Sequence, residues 1–435
     1  MGKRLTAMLL CLALGCPLLS VSAAAAESDR AFTPDNPTPP AVEAPVEPEA
    51  TPVEPEVPAE DAVGTVSYAN LEKRVRENNP TVRMLQENIE YINDIDYEKM
   101  YDKLRDNLAL SAKMRWGLLQ SSLMNPATEA GNTYISNSLS SSTSSARDAF
   151  EDLKSGQLQK DNEAAKRQLE NTQEQVIMGA ETLYIAILEM QNTRSGLQRQ
   201  LDALDRSLAE MEIRQKYGQI SALTMQQVQN GRTQLASGIA TLDMNLANCL
   251  CQLEVMLGLS PTGTLTLSEI PEITDEQIAE MAALEDALAV TKEKSYELYE
   301  AQKTLDEAEE TYRDTKNTGG GLQSMEYKQA VHAYDAAKYT YQATIQNFEL
   351  SFRSMYAAVA DYRQILTAAE SALEYQRSDY AASQLKYQHG TISQNALLEA
   401  QDALATAETA VLTAKHNLFT AYHNYQLAVE HGILN

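Results

Sequence analysis

From Val176 onward the apolar positions step by four and three residues: Val176, Ala180, Leu183, Ile187, Met190, Leu197, Leu201, Leu204, Leu208 and Met211, with Arg194 the one interruption. Such a stripe keeps one face of a helix apolar, and sustained over several heptads it predicts a coiled-coil seam. A second seam runs through Tyr341, Ile345, Phe348, Phe352, Met355, Val359, Tyr362, Leu366, Ala369 and Leu373. The two seams keep one phase, because a single offset places Leu183 on Met355, Ile187 on Val359 and Leu201 on Leu373. The same offset carries Tyr184 onto Tyr356, Gly218 onto Gly390, Ser221 onto Ser393, Gln229 onto Gln401, and Asn245-Leu246 onto Asn417-Leu418. An offset shared by seam, turn and returning helix marks an internal duplication.

Each copy turns at its glycine, in RQKYGQIS (214–221) and again in KYQHGTIS (386–393). Glycine takes the left-handed geometry that ends a helix, and the serine three residues later is suited to cap the next one. A helix from Ser145 to Tyr217 would be on the order of 105–110 Å long at ~1.5 Å per residue. Its return, Ser221 to Leu257, is about half as long, so Val66–Arg115 and Ile273–Asp314 are predicted to cover the remaining seam as further helices. The expected fold is all-α, an elongated antiparallel coiled-coil bundle of two repeated long helical hairpins. Its body would span 63–435, with repeat one at 63–261 and repeat two at 273–430.

Composition agrees with this picture. After Val63 the only prolines are Pro80, Pro126, Pro261 and Pro271, and strong helix formers dominate. Residues 1–26 differ: Lys3 and Arg4 precede the apolar run LTAMLLCLALGCPLLSVS and an alanine tail, which reads as a signal peptide cut after Ala26. A lipoprotein box, ALGC ending at Cys16, stays open as the alternative. Residues 27–62 hold nine prolines and many carboxylates, the composition of an extended, solvated linker.

The net charge of −26 argues against nucleic acid as a partner, since phosphate neutralisation needs lysine and arginine. Cys249 and Cys251 lie beyond the signal peptide; two apart on a helix they point to different faces, with no metal spacing around them, and are expected to be small buried residues. His416 and His423 share a helix face without the partners a metal would want and are expected in a polar stripe. No phosphate loop, nucleophile elbow or metal box is present, so no cofactor and no enzymatic activity are expected.

VSYANLEKRVRENNPTVRML (66–85), the IRQKYGQIS turn and LANCLCQLEVMLGLSP (246–261), followed by ALEDALAVTKEKSYEL, the LKYQHGTIS turn and LFTAYHNYQLAV, together resemble the TolC family of outer-membrane efflux ducts. The resemblance implies a homotrimer with a membrane β-barrel above a helical tunnel, working with a periplasmic adaptor (membrane fusion) protein and an inner-membrane pump. It implies that the adaptor docks at the glycine turns, here Arg214, Gly218, Ile220 and Ser221 with Lys386, Gly390, Ile392 and Ser393. The family's acidic lumen rings reduce to Glu399, because Ala396, Thr224 and Gln227 fill the other matching positions.

The barrel itself is predicted to be absent or vestigial. A barrel strand needs about 9–11 alternating residues. NTGGGLQ (317–323) is too short for a strand pair, and LMNPATEAGNTYISNSLSSSTSSA (123–146) reads as a serine-rich loop. The leading expectation is an exported, cell-envelope helical duct component for efflux or type I secretion. The alternative is a non-transport coiled-coil envelope protein that binds other partners.

Overall fold

A computed structural model describes residues 61–62, 64–318 and 323–434. The signal peptide, the lipidation alternative at Cys16, all of the linker but Asp61 and Ala62, and the triple glycine 319–321 lie outside them. The chain divides into two units, Met1–Val57 and Pro58–Asn435, and the described residues belong to the second.

A short strand β1 (Thr65–Val66) leads into α1 (Tyr68–Asn78). Asn79 then stops that helix and starts the next: its backbone is extended, and its side-chain oxygen accepts from the Thr81 and Val82 amides at 2.8 and 3.1 Å. Pro80 opens α2 (Pro80–Asn93), at the position where a missing N–H costs nothing. Asp96 caps α3 (Tyr97–Met124) by accepting from the Lys99 amide. A 3₁₀ turn at Pro126–Thr128 joins α3 to α4 (Glu129–Ser142), and α5 (Ser144–Ser155) follows. The long helix α6 (Gln157–Lys216) and its return α7 (Ala222–Met256) complete the first repeat. Strand β2 (Thr266–Leu267) pairs in parallel with β1, Thr65 beside Thr266 and Val66 beside Leu267. The second repeat comprises α8 (Asp275–Ala279), α9 (Leu284–Lys294), α10 (Tyr296–Thr318), α11 (Met325–Gln388) and α12 (Gln394–His431).

The all-α class is therefore observed, with no strand beyond β1 and β2 among the described residues. With 60 and 64 residues, α6 and α11 are on the order of 90–96 Å long. α7 runs back along α6, and α12 along α11.

Each repeat holds its own core. In the second, Phe348, Phe352, Val359, Leu366 and Leu373 of α11 meet Val411, Leu418, Tyr425 and Ala428 of α12, with Ala287 and Leu288 of α9 alongside. All five α11 residues were on the expected seam. In the first, Ile177, Ala180, Tyr184 and Ile187 of α6 meet Leu71, Val75 and Val82 of α1 and α2 and Leu250 and Leu253 of α7. Here the buried face is wider than a seam, because α6 is packed by α1, α2, α7 and α12 at once. The equivalent tyrosines do equivalent work. The Tyr184 hydroxyl lies 3.0 Å from the Val66 carbonyl and 2.6 Å from that of Ser268, and the Tyr356 hydroxyl donates to the Ala282 carbonyl at 3.2 Å.

Val66–Arg115 is chiefly helical, as expected, in three helices separated at Asn79 and at Asp94–Asp96. Two expectations need correction. The helix from Ser145 to Tyr217 is broken at Gly156, whose φ of 79° terminates α5 in a left-handed cap. The serine-rich stretch 123–146 is chiefly helical and contains α4. Its hydroxyls bond back to the helix's own carbonyls, Ser142 and Thr143 to Leu139 at 3.0 and 2.9 Å, so they do not compete against it. The Asn132 amide reaches back to Ser122 and Thr128 and fastens α4 to α3.

Candidate functional site

The two glycine turns are built to one plan. Gly218 has φ 71° and donates to the Gln215 carbonyl at 2.8 Å, while Gln219 donates to Arg214 at 2.9 Å. Gly390 has φ 70° and donates to Tyr387 at 2.9 Å, while Thr391 donates to Lys386 at 2.9 Å. This crossed pair of bonds closes the last carbonyls of α6 and of α11, and only the glycine adopts its conformation without strain. The return helices start alike as well. Ser221 accepts from the Thr224 amide at 3.1 Å and Ser393 from the Ala396 amide at 3.2 Å.

Both tips are open. Gly218, Ser221, Gly390 and Ser393 are exposed, Ile220 and Ile392 are half-buried, and a methyl group added at either glycine would touch nothing within 4 Å. Arg214 pairs with Glu210 one turn back on its own helix, so its charge is partly compensated at the tip. Lys386 is exposed in the last turn of α11, where a cation complements the helix dipole. Glu399 is exposed on α12, and Ala396 is half-buried.

The structure places the two turns at the same end. Along α6 and α12, Asn192 donates to the Thr413 hydroxyl at 3.1 Å, Arg199 bonds Thr409, Arg206 pairs with Asp402, and the Asn395 amide donates to Glu210 at 3.3 Å. Numbers rise on one helix as they fall on the other, so α6 and α12 are antiparallel and Gly218 and Gly390 lie beside one another. The pattern of apolar positions carried no trace of this polar ladder. Its members are ordinary surface residues until the second repeat is laid against the first.

The histidines do not lie in the expected polar stripe. His416 is buried, its Nδ1 has no hydrogen-bond partner, and burial pulls its pKa down although Glu269 opposes the shift. His423 reaches across to α6, where its Nε2 lies 2.8 Å from the carboxylate of the buried Glu181. Phe419 stacks on the His423 ring and Tyr68 meets both edge-on. Burial, and then the nearby carboxylates of Glu181 and Glu72, push the Tyr68 hydroxyl pKa strongly upward. These residues form a joint between the repeats instead of a solvated stripe. Cys249 is buried and Cys251 half-buried.

The described residues form two paired helical hairpins with matched glycine tips, and none of their His, Cys, Asp and Glu groups is arranged to hold a metal ion. Residues 317–428, within the second repeat, match the family model of the outer membrane efflux protein. None of the curated proteins matches the chain. Among solved structures, a membrane protein from Pseudomonas aeruginosa is 13% identical, with 83% of this chain and 89% of that chain covered and a TM-score of 0.47. The outer membrane protein VceC from Vibrio cholerae is 11% identical over 83% and 95% of the two chains, with a TM-score of 0.43. The Neisseria gonorrhoeae MtrE outer membrane channel is 16% identical over 83% and 88%, with a TM-score of 0.38.

Proposed function

We propose that the protein is an exported helical duct component of the cell envelope, serving efflux or type I secretion as a homotrimer. An adaptor protein docks at the glycine tips and joins the duct to an inner-membrane pump. The observation that carries this reading is the side-by-side placement of the two tips, held by Arg206–Asp402 and Glu210–Asn395. Paired tips with open backbone turns and small side chains offer a partner's helical hairpin close approach at two equivalent places. The efflux-protein domain at 317–428 supports the transport role. On this reading solutes pass through a wet interior without tight binding, and no catalytic residue or cofactor takes part.

The test is the assembly state. Light scattering on the purified chain is expected to give the mass of a trimer, and a stable monomer would remove the duct. The second reading, a coiled-coil envelope protein that transports nothing, is favoured by one observation: the described residues contain no strand suited to a membrane barrel. A trimer closed into a ring decides against it.

A further inference from the structure

The α3–α4 hairpin carries an exposed apolar surface that the tip docking does not use. Among the described residues, Trp116 is 67% exposed, Leu123 78%, Met124 79% and Tyr134 77%. Between Trp116 and Ala146 the only charged residue is Glu129, in a chain that is 22% charged overall. Interfaces show this composition, rich in Trp, Tyr and Met and depleted of charge at their centre, and monomer surfaces seldom expose so much of it.

The arrangement on α3 narrows the occupant. At ~100° per residue, Trp116, Leu119 and Leu123 form one flank, and Leu110 and Met114 form a second, roughly opposite flank, with Met124 at the helix end on the outer side. The inner face between them packs on α4 and α5. The outer face is the exposed polar stripe of Asp102, Asp106, Lys113 and Gln120. An element with two apolar flanks and a wet outer face fits between two neighbours, as a subunit does in a cyclic assembly where unlike faces meet. A lipid surface would instead demand an apolar outer face, and α4 is mostly serine, threonine and asparagine.

Charge points to the same occupant. Copies that each carry −26 repel one another, and a charge-free stretch is where they abut with least electrostatic cost. With Ile135, also exposed, full coverage of the hairpin's eight large side chains would bury on the order of 1,000 Å² per copy, taking about 200 Å² for a large side chain. That area, shared between two flanks, is comparable with the ~800 Å² per partner of a specific interface.

We infer that the α3–α4 hairpins of neighbouring copies pack flank to flank into a helical collar that closes the ring of the proposed duct where a barrel would otherwise stand. The inference rests on the ring assembly and adds the surface that makes it. In the full chain, Met114→Cys with Leu119→Cys, oxidised under mild conditions, is expected to give covalent multimers, while either single cysteine does not. Dimers from Leu119→Cys alone would show like flanks meeting and overturn the collar. Trp116→Glu with Leu123→Glu, at exposed positions, is expected to raise the assembly's dissociation constant at least tenfold in sedimentation while leaving the circular dichroism unchanged.

A wild-type oligomer that this variant leaves intact overturns the collar and spares the duct. A monomeric wild type overturns both. Flotation of the wild type with phosphatidylcholine vesicles, lost in the variant while its oligomer persists, would assign the surface to lipid and overturn the collar.

Discussion

Gly432 is pressed against Ser295: a Cβ at Gly432 would stand 2.5 Å from the Ser295 amide nitrogen. The first repeat has the same close approach, with a Cβ at Gly258 only 2.5 Å from the Asn78 carbonyl oxygen. Both glycines lie at positive φ, 69° and 68°, just past the ends of α12 and α7. In each copy the returning helix thus finishes against the break between two short helices, where Asn79 donates to the Met256 carbonyl and Lys294 to that of Val429, both at 2.8 Å.

Alanine at these two positions adds backbone overlap to the left-handed strain, so Gly432→Ala and Gly258→Ala should each cost about 3 kcal/mol in urea unfolding. Gly218→Ala and Gly390→Ala meet open space and should cost only the conformational term, ~1 kcal/mol. Equal losses at all four sites would contradict the contact geometry.

Glu254 gives a second prediction. Its buried carboxylate accepts from the amides of Thr262, Gly263, Thr264 and Leu265 and from the Thr262 hydroxyl, folding the segment after α7 around itself. Burial alone would raise its pKa, but the Gly263 amide, the Thr262 hydroxyl and the neighbouring amides outweigh that and hold it below the usual carboxylate value. A lowered folded-state pKa contributes stability that is complete at neutral pH and is lost as the pH falls below about 4.5 and through the folded value. Glu254→Gln puts an amide group among four N–H donors and should cost about 2–3 kcal/mol at pH 7. The variant's stability should also fall less steeply than the wild type's between pH 5 and pH 3.

Much of the fold was legible because the duplication wrote it twice. The glycine and serine at each turn can be read locally, since φ and capping depend on a few residues, and the structure realises both with matching bonds. The second seam was legible for a similar reason: α11 is packed mainly by helices that follow its apolar stripe. The first was only half legible, because α1, α2 and α12 bury additional faces of α6, including Tyr184 and Ile185. Serine propensity misled at 123–146, where hydroxyls bonded to nearby carbonyls make serine tolerable in a helix. The pairing of the tips was legible through the family resemblance alone, not through the periodicity. It depends on polar partners such as Arg206 and Asp402, which carry no periodic signal.

The joint between the repeats is open to a direct test. His423→Ala would leave the Glu181 carboxylate buried on α6 without the His423 ring that meets it, a loss expected to cost about 2 kcal/mol or more. Glu181→Gln combined with His423→Ala should recover part of that loss, because a neutral amide is less costly to bury than a lone charge. The double-mutant cycle measures the coupling. A coupling near zero would mean that α6 and α12 are not held there by this pair.

The tips supply the last prediction. Glu210 and Asn395 touch at 3.3 Å although they belong to different repeats, so Glu210→Cys and Asn395→Cys should be bridged within one chain by a short bis-maleimide. The experiment is cleanest with Cys251→Ser, which removes the half-buried thiol, and Cys249 is buried. The bridged chain keeps the mass of a single copy and migrates as a compact species on denaturing gels, whereas a bridge between copies doubles the mass. Arg206→Ala should lower the bridging yield if the Arg206–Asp402 pair helps to hold the tips together. Its effect on global stability should stay within about 1 kcal/mol, because both members are partly exposed and such pairs are weak in water. Failure to bridge in the folded chain would separate the tips, and with them the paired docking rim on which the proposed duct depends.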